Sequence, residues 1–397
     1  MLIETGSRID MVQLEINTLE IFFWTRRISS NFFKKARENF LKIKNPTKYK
    51  IDGKYFKQFK CFISNIFVKF NFFHPLMYAN KPWILYWLLN SIDISYFHSK
   101  KKFFLKNINR SVLFLFEMNL SQIFKNSISS LFTLYSTVLY STIIFKKNSQ
   151  FIDYISIKSI YHFIKSLTID SLSPRNSNIS DCDGRNLLCI FTISSLLGIL
   201  TLDLENIFIE KVGHLAITLE GFSSKRVNGA HGALTYCWVS SFFFLSEKYK
   251  IKLHLDIKKW FGTRQHFLIF GFSGRISKIP DSCYNFWIGA SLILLNVKFS
   301  KKLQNTFIFC SDKMSSSFSD RSGKIADSYH LCYSTCGFAM LNFLISIKIN
   351  LKSKKIQKML DLNYFYNLAK LSPLFGLREG RVISFISGIN LNRLKNK

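Results

Sequence analysis

The amino-acid sequence predicts an all-α protein assembled from repeated helix pairs that close into a ring. Three observations carry that prediction. The first is a repeat: Asp183, His231, Asp281 and His330 sit 48, 50 and 49 residues apart, and six residues after each come Cys189, Cys237, Trp287 and Cys336. A period near 50 marks an array of equivalent supersecondary units, none of which buries its apolar face alone. The second is that each polar residue opens an apolar run: GRNLLCIFTISSLLGIL, HGALTYCWVSSFFFL, DSCYNFWIGASLILL and HLCYSTCGFAMLNFL. Runs of this length read as helices, with the polar residues at the helix starts and at the same end of each unit. The third is a low count of turn formers, 17 Gly and 6 Pro in 397 residues, with no regular pattern of short strands. Helix pairs at this spacing either stack into an open solenoid or close on themselves. Runs apolar all round, with few charged stripes, favour closure with the inner helices buried on every side.

Along the chain, residues 1–70 are rich in Lys and Phe and periodic enough for helices, and they read as an N-terminal helical extension to one large domain over residues 71–397. In YANKPWILYWLLNSIDI, Pro82 suits a helix start, and Trp83 and Trp87, four apart, share one helix face. Residues 95–170 carry helical apolar patches and Lys clusters. SLSPRNSNISDCD (171–183) is a polar loop, after which the repeat units run to about residue 350. A short Gly-bearing turn precedes each of the later polar residues: EGFSSKRVNG, FGFSGRISKIP and SDRSGKIADSY. LSPLFGLREGRVISFI near the end is a turn followed by a helix.

Composition narrows the class. Apolar residues make up 48% of the chain, enough for a substantial core. The net charge of +31 goes with heavy use of Lys, Asn, Ile and Phe (42 Phe), as an AT-rich coding sequence produces. The lysines are scattered and no nucleic-acid-binding module is recognisable, so nucleic acid is not an expected partner. Eight cysteines without a CxxC pair, several inside apolar runs, fit a reducing, cytoplasmic setting. The start of the chain lacks a basic region followed by an apolar one, so no signal peptide is expected. Asn126–Phe145 is uncharged for 20 residues but holds many Ser and Thr, and the other runs reach only about 15 before a charge, which favours buried core helices over membrane spans.

Several of these residues can do chemistry if the helix starts converge. Asp281-x-Cys283 with His330 offers a carboxylate, a thiolate and an imidazole, and three mixed protein ligands leave a fourth zinc position open, as catalytic sites do. Spacing alone is equally compatible with helix caps and core residues. Arg275 and Lys278 precede Asp281, and with His231 they form a set of donors suited to a phosphate or diphosphate; in isolation they also read as a solvated basic turn. Asp320 and Asp327 flank Lys324, and Asp320 can add a divalent cation when a diphosphate is present.

In order along the chain, these segments resemble the β subunit of protein farnesyltransferase. The zinc segment of that family, GR-x-x-K-x-x-D-x-C-Y-x-F-W, stands here as Gly274, Arg275, Lys278, Asp281, Cys283, Tyr284, Phe286 and Trp287. GK-x-x-D-x-YH-x-C-Y stands as Gly323, Lys324, Asp327, Tyr329, His330, Cys332 and Tyr333. HGG-x-T-x-C keeps His231, Gly232, Thr235 and Cys237, with Ala233 for the second Gly. RPW-x-x-YW keeps Pro82, Trp83, Tyr86 and Trp87, and D-x-R keeps Asp183 and Arg185. The resemblance covers about residues 75–390, most clearly 180–345.

The resemblance implies an α/α toroid of six helix pairs, about 12 helices, and an obligate heterodimer with a helical-repeat α subunit. It implies zinc held by Asp281, Cys283 and His330, with the cysteine of a CaaX-terminal protein, such as a small GTPase, as fourth ligand; a coordinated thiol is deprotonated outright. The thiolate attacks C1 of farnesyl diphosphate, and His231, Arg275, Lys278 and Tyr284, with a lysine of the α subunit, meet the leaving diphosphate. Trp287, Cys237 and the stem of Arg185 line the prenyl chain, and Trp83, Trp87 and Tyr329 belong to the prenyl floor and the CaaX peptide site. A bulky Trp at the floor marks farnesyl enzymes, and type I geranylgeranyl enzymes carry a small residue there; Trp83 holds that place. Farnesyl enzymes also carry an Asp for magnesium ten residues before the zinc His, where the geranylgeranyl enzymes carry Lys; here it is Asp320. The chain departs from the family at Leu188 and Leu234, where Tyr is usual, at Ala326 in place of Arg, and in the eroded loop before His231. Ser130–Ser141 is the best candidate for the CaaX-contacting segment. The competing readings are a type I geranylgeranyltransferase β subunit and a non-catalytic toroid that binds a partner.

Overall fold

The computed structural model describes residues 80–95, 131–145, 157–170, 184–206, 217–218, 221–222, 229–245, 255–266, 271–297, 318–321, 324, 326–349 and 368–395. The expected extension over residues 1–70, the polar loop 171–183 and Asp183 lie outside them. The described elements are α1 (Lys81–Ser95), α2 (Leu131–Ile144), α3 (Ile157–Asp170), α4 (Gly184–Leu196), β1 (Ile217–Thr218), β2 (Gly221–Phe222), α5 (Gly232–Phe244), α6 (Leu255–Thr263), α7 (Tyr284–Leu294), α8 (Ser328–Ile349) and α9 (Glu379–Lys395). The β strands form one minimal antiparallel hairpin, Ile217 opposite Phe222 and Thr218 opposite Gly221, so the architecture is helical as expected. Among the described residues no helix is long and apolar enough to cross a membrane.

Helices α2, α4, α5 and α7 are buried nearly all round, which is why their sequences carry no charge beyond Arg185. Some of their Ser and Thr hydroxyls are satisfied by donating back to the carbonyl four residues earlier: Thr142 to Val138 at 2.8 Å, Ser241 to Cys237 at 2.7 Å, Ser291 to Trp287 at 2.8 Å. Helix α3 differs. Ile160 and Ile164 are buried, while Lys158, His162 and Ser166 face water, the pattern of an outer helix with one apolar stripe.

The described residues divide into two compact units, one within 254–368 and one within 72–253 and 369–397. In the second unit α1 packs on α2, α2 on α4 and α4 on α5, and α9 packs on α2 and α4. The first and last described helices meet there. Asp93 of α1, 8% exposed, takes two hydrogen bonds from Arg381 of α9 at 2.9 and 3.1 Å, with Arg378 at 3.6 Å. The Ala369 N–H bonds the Ile94 carbonyl at 3.0 Å, and Asn90 donates to the Gly376 carbonyl at 2.9 Å. In the first unit α6 packs on α7 and α7 on α8. Gly337 of α8 lies against the Asn285 backbone of α7, where any Cβ would clash, so the two helices approach at closer range than side chains permit.

Asp93 is the shared partner of two arginines whose side chains are 24% and 30% exposed. Asp93→Asn is expected to lower unfolding free energy by about 1.5 kcal/mol, the scale of a hydrogen bond to a charged group. Urea unfolding of the full chain measures it, with Asp93→Glu as the control that retains the charge.

Candidate metal centre and anion pocket

The helix starts of the repeat are where the chemistry-bearing side chains stand. His231 is the N-cap residue of α5, Cys283 the N-cap residue of α7, and His330 the third residue of α8. Asp281, Cys283 and His330 come together: one donor atom from each lies within 4.8 Å of the others, and His330 Nε2 is 3.3 Å from Asp281 Oδ1. A tetrahedral zinc with bonds of about 2.0–2.3 Å spaces its donors by roughly 3.3–3.8 Å, so the three groups fit that ion after a small contraction. The set of oxygen, sulfur and nitrogen donors suits zinc and leaves a fourth position to a substrate.

Local structure fixes each donor. The Cys283 N–H bonds Asp281 Oδ1 at 2.9 Å, locking the carboxylate beside the thiol, and Cys283 itself is buried at the positive end of α7, where negative charge is favoured. Asp327 has two tasks. Its Oδ1 accepts the His330 backbone N–H at 2.8 Å, which caps α8, and its Oδ2 lies 2.6 Å from His330 Nδ1. That pair leaves Nε2 turned to Asp281 and Cys283, the arrangement in which a carboxylate orients a metal-binding imidazole. Ser282 ties the two ligand segments together: its N–H bonds the Asp320 carbonyl at 2.9 Å and its hydroxyl the Ser319 carbonyl at 2.7 Å.

The electrostatics follow. Burial opposes an imidazolium at His330, but hydrogen bonds and charge from Asp281 and Asp327 outweigh it and raise its pKa to about 9. Burial also works against the charge of Asp281, yet His330 and the Cys283 N–H hold its carboxyl below the usual range. The cluster stabilises a positive charge among two carboxylates and a thiol, as a cation site must. Tyr284 is pushed up by burial and by Cys283 and Asp281, against a smaller opposing pull from Arg275, so its phenol keeps its proton and can donate. Tyr329 is pushed up chiefly by burial, and its hydroxyl accepts the Trp287 indole N–H at 3.1 Å. Trp287, Tyr329 and Tyr333 then form an aromatic wall, with Trp287–Tyr333 centroids at 4.3 Å and Tyr329–Tyr333 at 4.8 Å.

Beside the metal donors is an open pocket lined by Arg275, Lys278, Asp281, Tyr284, Asp320 and Arg321. Gly274 forms part of its wall because the Tyr284 ring occupies the space a Cβ would need. The pocket joins the expected diphosphate binders Arg275, Lys278 and Tyr284 to the zinc set. It also contains Arg321, which the sequence reading passed over; its Nε lies 3.1 Å from Asp320 Oδ2, and Asp320 Oδ1 accepts the Arg321 N–H at 2.8 Å. The carboxylate expected to hold magnesium is therefore engaged by its own neighbour.

The remaining expected residues belong to the other unit. His231 Nδ1 accepts from the N–H groups of Ala233 at 3.2 Å and Leu234 at 3.4 Å, so its proton is on Nε2. Arg185 is exposed in the first turn of α4, and Cys237 is buried in α5. The rings of Trp83 and Trp87 lie against each other on one face of α1, tilted, with centroids at 5.7 Å, and Tyr135 of α2 is 5.6 Å from Trp83.

A sequence model described as the prenyltransferase alpha-alpha toroid domain matches residues 57–376, and the chain belongs to that family. The fold is accordingly the α/α toroid. The chain is 28% identical over 201 residues to "Protein farnesyltransferase subunit beta" of Schizosaccharomyces pombe, covering 46% of this chain and 52% of the relative. It is 31% identical over 147 residues to "Geranylgeranyl transferase type-1 subunit beta" of Dictyostelium discoideum, covering 33% and 40%. The chain spans about half the length of the curated relatives it matches. Among solved structures, it is similar in fold to Candida albicans protein geranylgeranyltransferase-I complexed with GGPP, with TM-score 0.59 and 16% identity over 84% of this chain and 98% of that chain.

Asp327→Asn keeps the size of the side chain and removes the charge that orients His330. Metal affinity is expected to fall by about 10–100-fold. A competitive zinc titration of the full chain checks this, and an unchanged affinity means that the imidazole is held by other contacts.

Proposed function

We propose that this chain is the catalytic β subunit of a protein farnesyltransferase. In this reading it transfers farnesyl from farnesyl diphosphate to the cysteine thiol of CaaX-terminal proteins, in the cytoplasm and in an obligate complex with an α subunit. The observation that carries the reading is the junction of two sites of opposite need: a group of three metal donors, and next to it a pocket lined by Arg275, Lys278 and the protonated Tyr284. Zinc on Asp281, Cys283 and His330 would supply a Lewis acid that keeps the substrate sulfur as thiolate.

In the transfer a C–S bond forms at C1 of the prenyl chain while the C–O bond to diphosphate breaks, and negative charge collects on the leaving oxygens. Arg275 and Lys278 meet that charge, and Tyr284 donates a hydrogen bond to it without first losing its proton. Trp287, Tyr329 and Tyr333 offer an apolar surface for the prenyl chain and exclude water beside the sulfur. His231 with its proton on Nε2, Cys237 and Arg185 complete the substrate contacts in this reading. Trp83 and Trp87 form the floor that limits chain length, and Asp320, if released from Arg321, would hold magnesium with the diphosphate. A type I geranylgeranyltransferase is the second reading, favoured by the Dictyostelium relative; the indole at position 83 argues for the shorter chain.

The test is co-expression with an α subunit and transfer of farnesyl or geranylgeranyl to a CaaX peptide, with and without a zinc chelator. Chelator-sensitive farnesyl transfer is expected. Cys283→Ala is expected to abolish bound zinc and reduce transfer by at least about 100-fold, several kcal/mol of charge stabilisation being lost, while diphosphate binding persists. Trp83→Thr is expected to admit geranylgeranyl diphosphate; an unaltered preference in competition assays overturns the floor assignment. Chelator-resistant transfer overturns the metal assignment.

A further inference from the structure

We propose that His266 is a positioning residue for the anion pocket: it fixes the backbone that presents Arg275 and Lys278. The inference rests on the reading of Arg275 and Lys278 as diphosphate binders.

Residues 274–280 leave the protein surface and return to it, and Arg275, Ile276, Ser277 and Lys278 are exposed. Exposed lysines and arginines are ordinarily mobile and bind anions weakly, so something must hold the two in register. Between them the chain makes a turn at Ser277 with φ of 58°, a left-handed conformation that a residue with a Cβ adopts only where its surroundings demand it. The ends of the loop are secured by backbone bonds. Ser273 N–H reaches the Arg264 carbonyl at 2.8 Å, His266 N–H the Gly271 carbonyl at 2.9 Å, and Asp281 N–H the Phe272 carbonyl at 3.1 Å. These pin the entry and exit and leave the turn itself to be set.

The imidazole of His266 supplies that restraint. It is 9% exposed and is hydrogen-bonded to the Lys278 backbone, one residue past the left-handed turn. Two residues before it in the chain, Arg264, 5% exposed, lies over the Trp260 ring at 5.2 Å and donates to the Thr263 hydroxyl at 3.2 Å. Burial, and then the Arg264 charge, favour the neutral ring and lower its pKa to about 4, so at neutral pH it is an uncharged donor to a carbonyl. An uncharged anchor suits this place, because it orients the cationic loop without adding charge of its own. A sequence scan for anion binders passes over His266, since it is outside the zinc and diphosphate motifs and acts on a backbone atom.

The experiment uses the full chain in complex with an α subunit, and inorganic diphosphate as the probe. His266→Leu is expected to weaken diphosphate binding by about tenfold, the scale of one hydrogen bond, and to raise the KM for farnesyl diphosphate in proportion. Zinc content and the KM for the CaaX peptide stay the same. His266→Gln, which keeps an N–H donor, restores binding to within about threefold. If His266→Leu does not fold, His266→Met, a more adaptable apolar residue, takes its place. A folded apolar variant with unchanged diphosphate binding overturns the inference, as does an equal loss of zinc, peptide and diphosphate binding. If the wild-type complex binds no diphosphate at all, the pocket reading fails and this inference with it.

Discussion

The chemistry depends on how closely α7 and α8 pack. Where they cross, the Gly337 Cα faces the Asn285 backbone with no room for a side chain between them. That approach places the two helix starts side by side, and each start is already committed to its donors: Cys283 as the N-cap residue of α7, His330 in the first turn of α8. Ser282 then stitches residues 281–283 to residues 319–320 through its N–H and its hydroxyl. The close packing is the frame that brings together donors nearly 50 residues apart in the chain, and the Trp287–Tyr329 hydrogen bond at 3.1 Å reinforces it. Sites held to within a fraction of an ångström are built on such rigid elements rather than on free loops.

A second constraint is the supply of charge in a largely apolar interior. Several hydroxyls of the buried helices bond their own backbone, as Thr142, Ser241 and Ser291 do, while among the described residues those of Thr192, Ser194 and Ser240 are buried without a partner. Among the described residues, several acids of the fold are paired with a basic group. Asp93 is matched by Arg381 and Arg378, Asp320 by Arg321, and Asp281 and Asp327 share His330. The cations of the anion pocket therefore stand beside acids already engaged elsewhere. Tyr284, kept protonated by burial and by Cys283 and Asp281, can meet negative charge as a donor.

Much of this was legible in the sequence because it is local. A repeat near 49 residues located the helix starts: His231 caps α5, His330 lies in the first turn of α8, and Asp281 falls two residues before the N-cap of α7. The spacing of Trp83 and Trp87 placed both indoles on one helix face, and the rings do touch. Asp327 was visible only as part of a motif, although an Asp three residues before a His at a helix start has one signal to offer: it can cap the helix and reach the ring. Arg321 and His266 gave no signal of this kind. Arg321 is an ordinary loop cation until the fold turns it to the pocket, and His266 acts through a carbonyl that has no identity in the sequence. Asp93 and Arg381 are 288 residues apart, and nothing in either neighbourhood indicates the other.

What the sequence determined alone was therefore whatever is written in periods of a few residues and in their repetition: helical runs, caps, the donor types and their order. These follow from backbone hydrogen bonding and from the alternation of apolar and polar groups along one chain. Only the tertiary structure decided which donors meet, because a helix start is the same locally whether or not another lies against it. The convergence at Asp281, Cys283 and His330, the entry of Arg321 into the pocket and the anchoring of Lys278 by His266 depend on packing distances between elements. Those distances are set by the bulk of side chains at crossings such as Gly337, a property of pairs of residues that no single stretch of sequence contains.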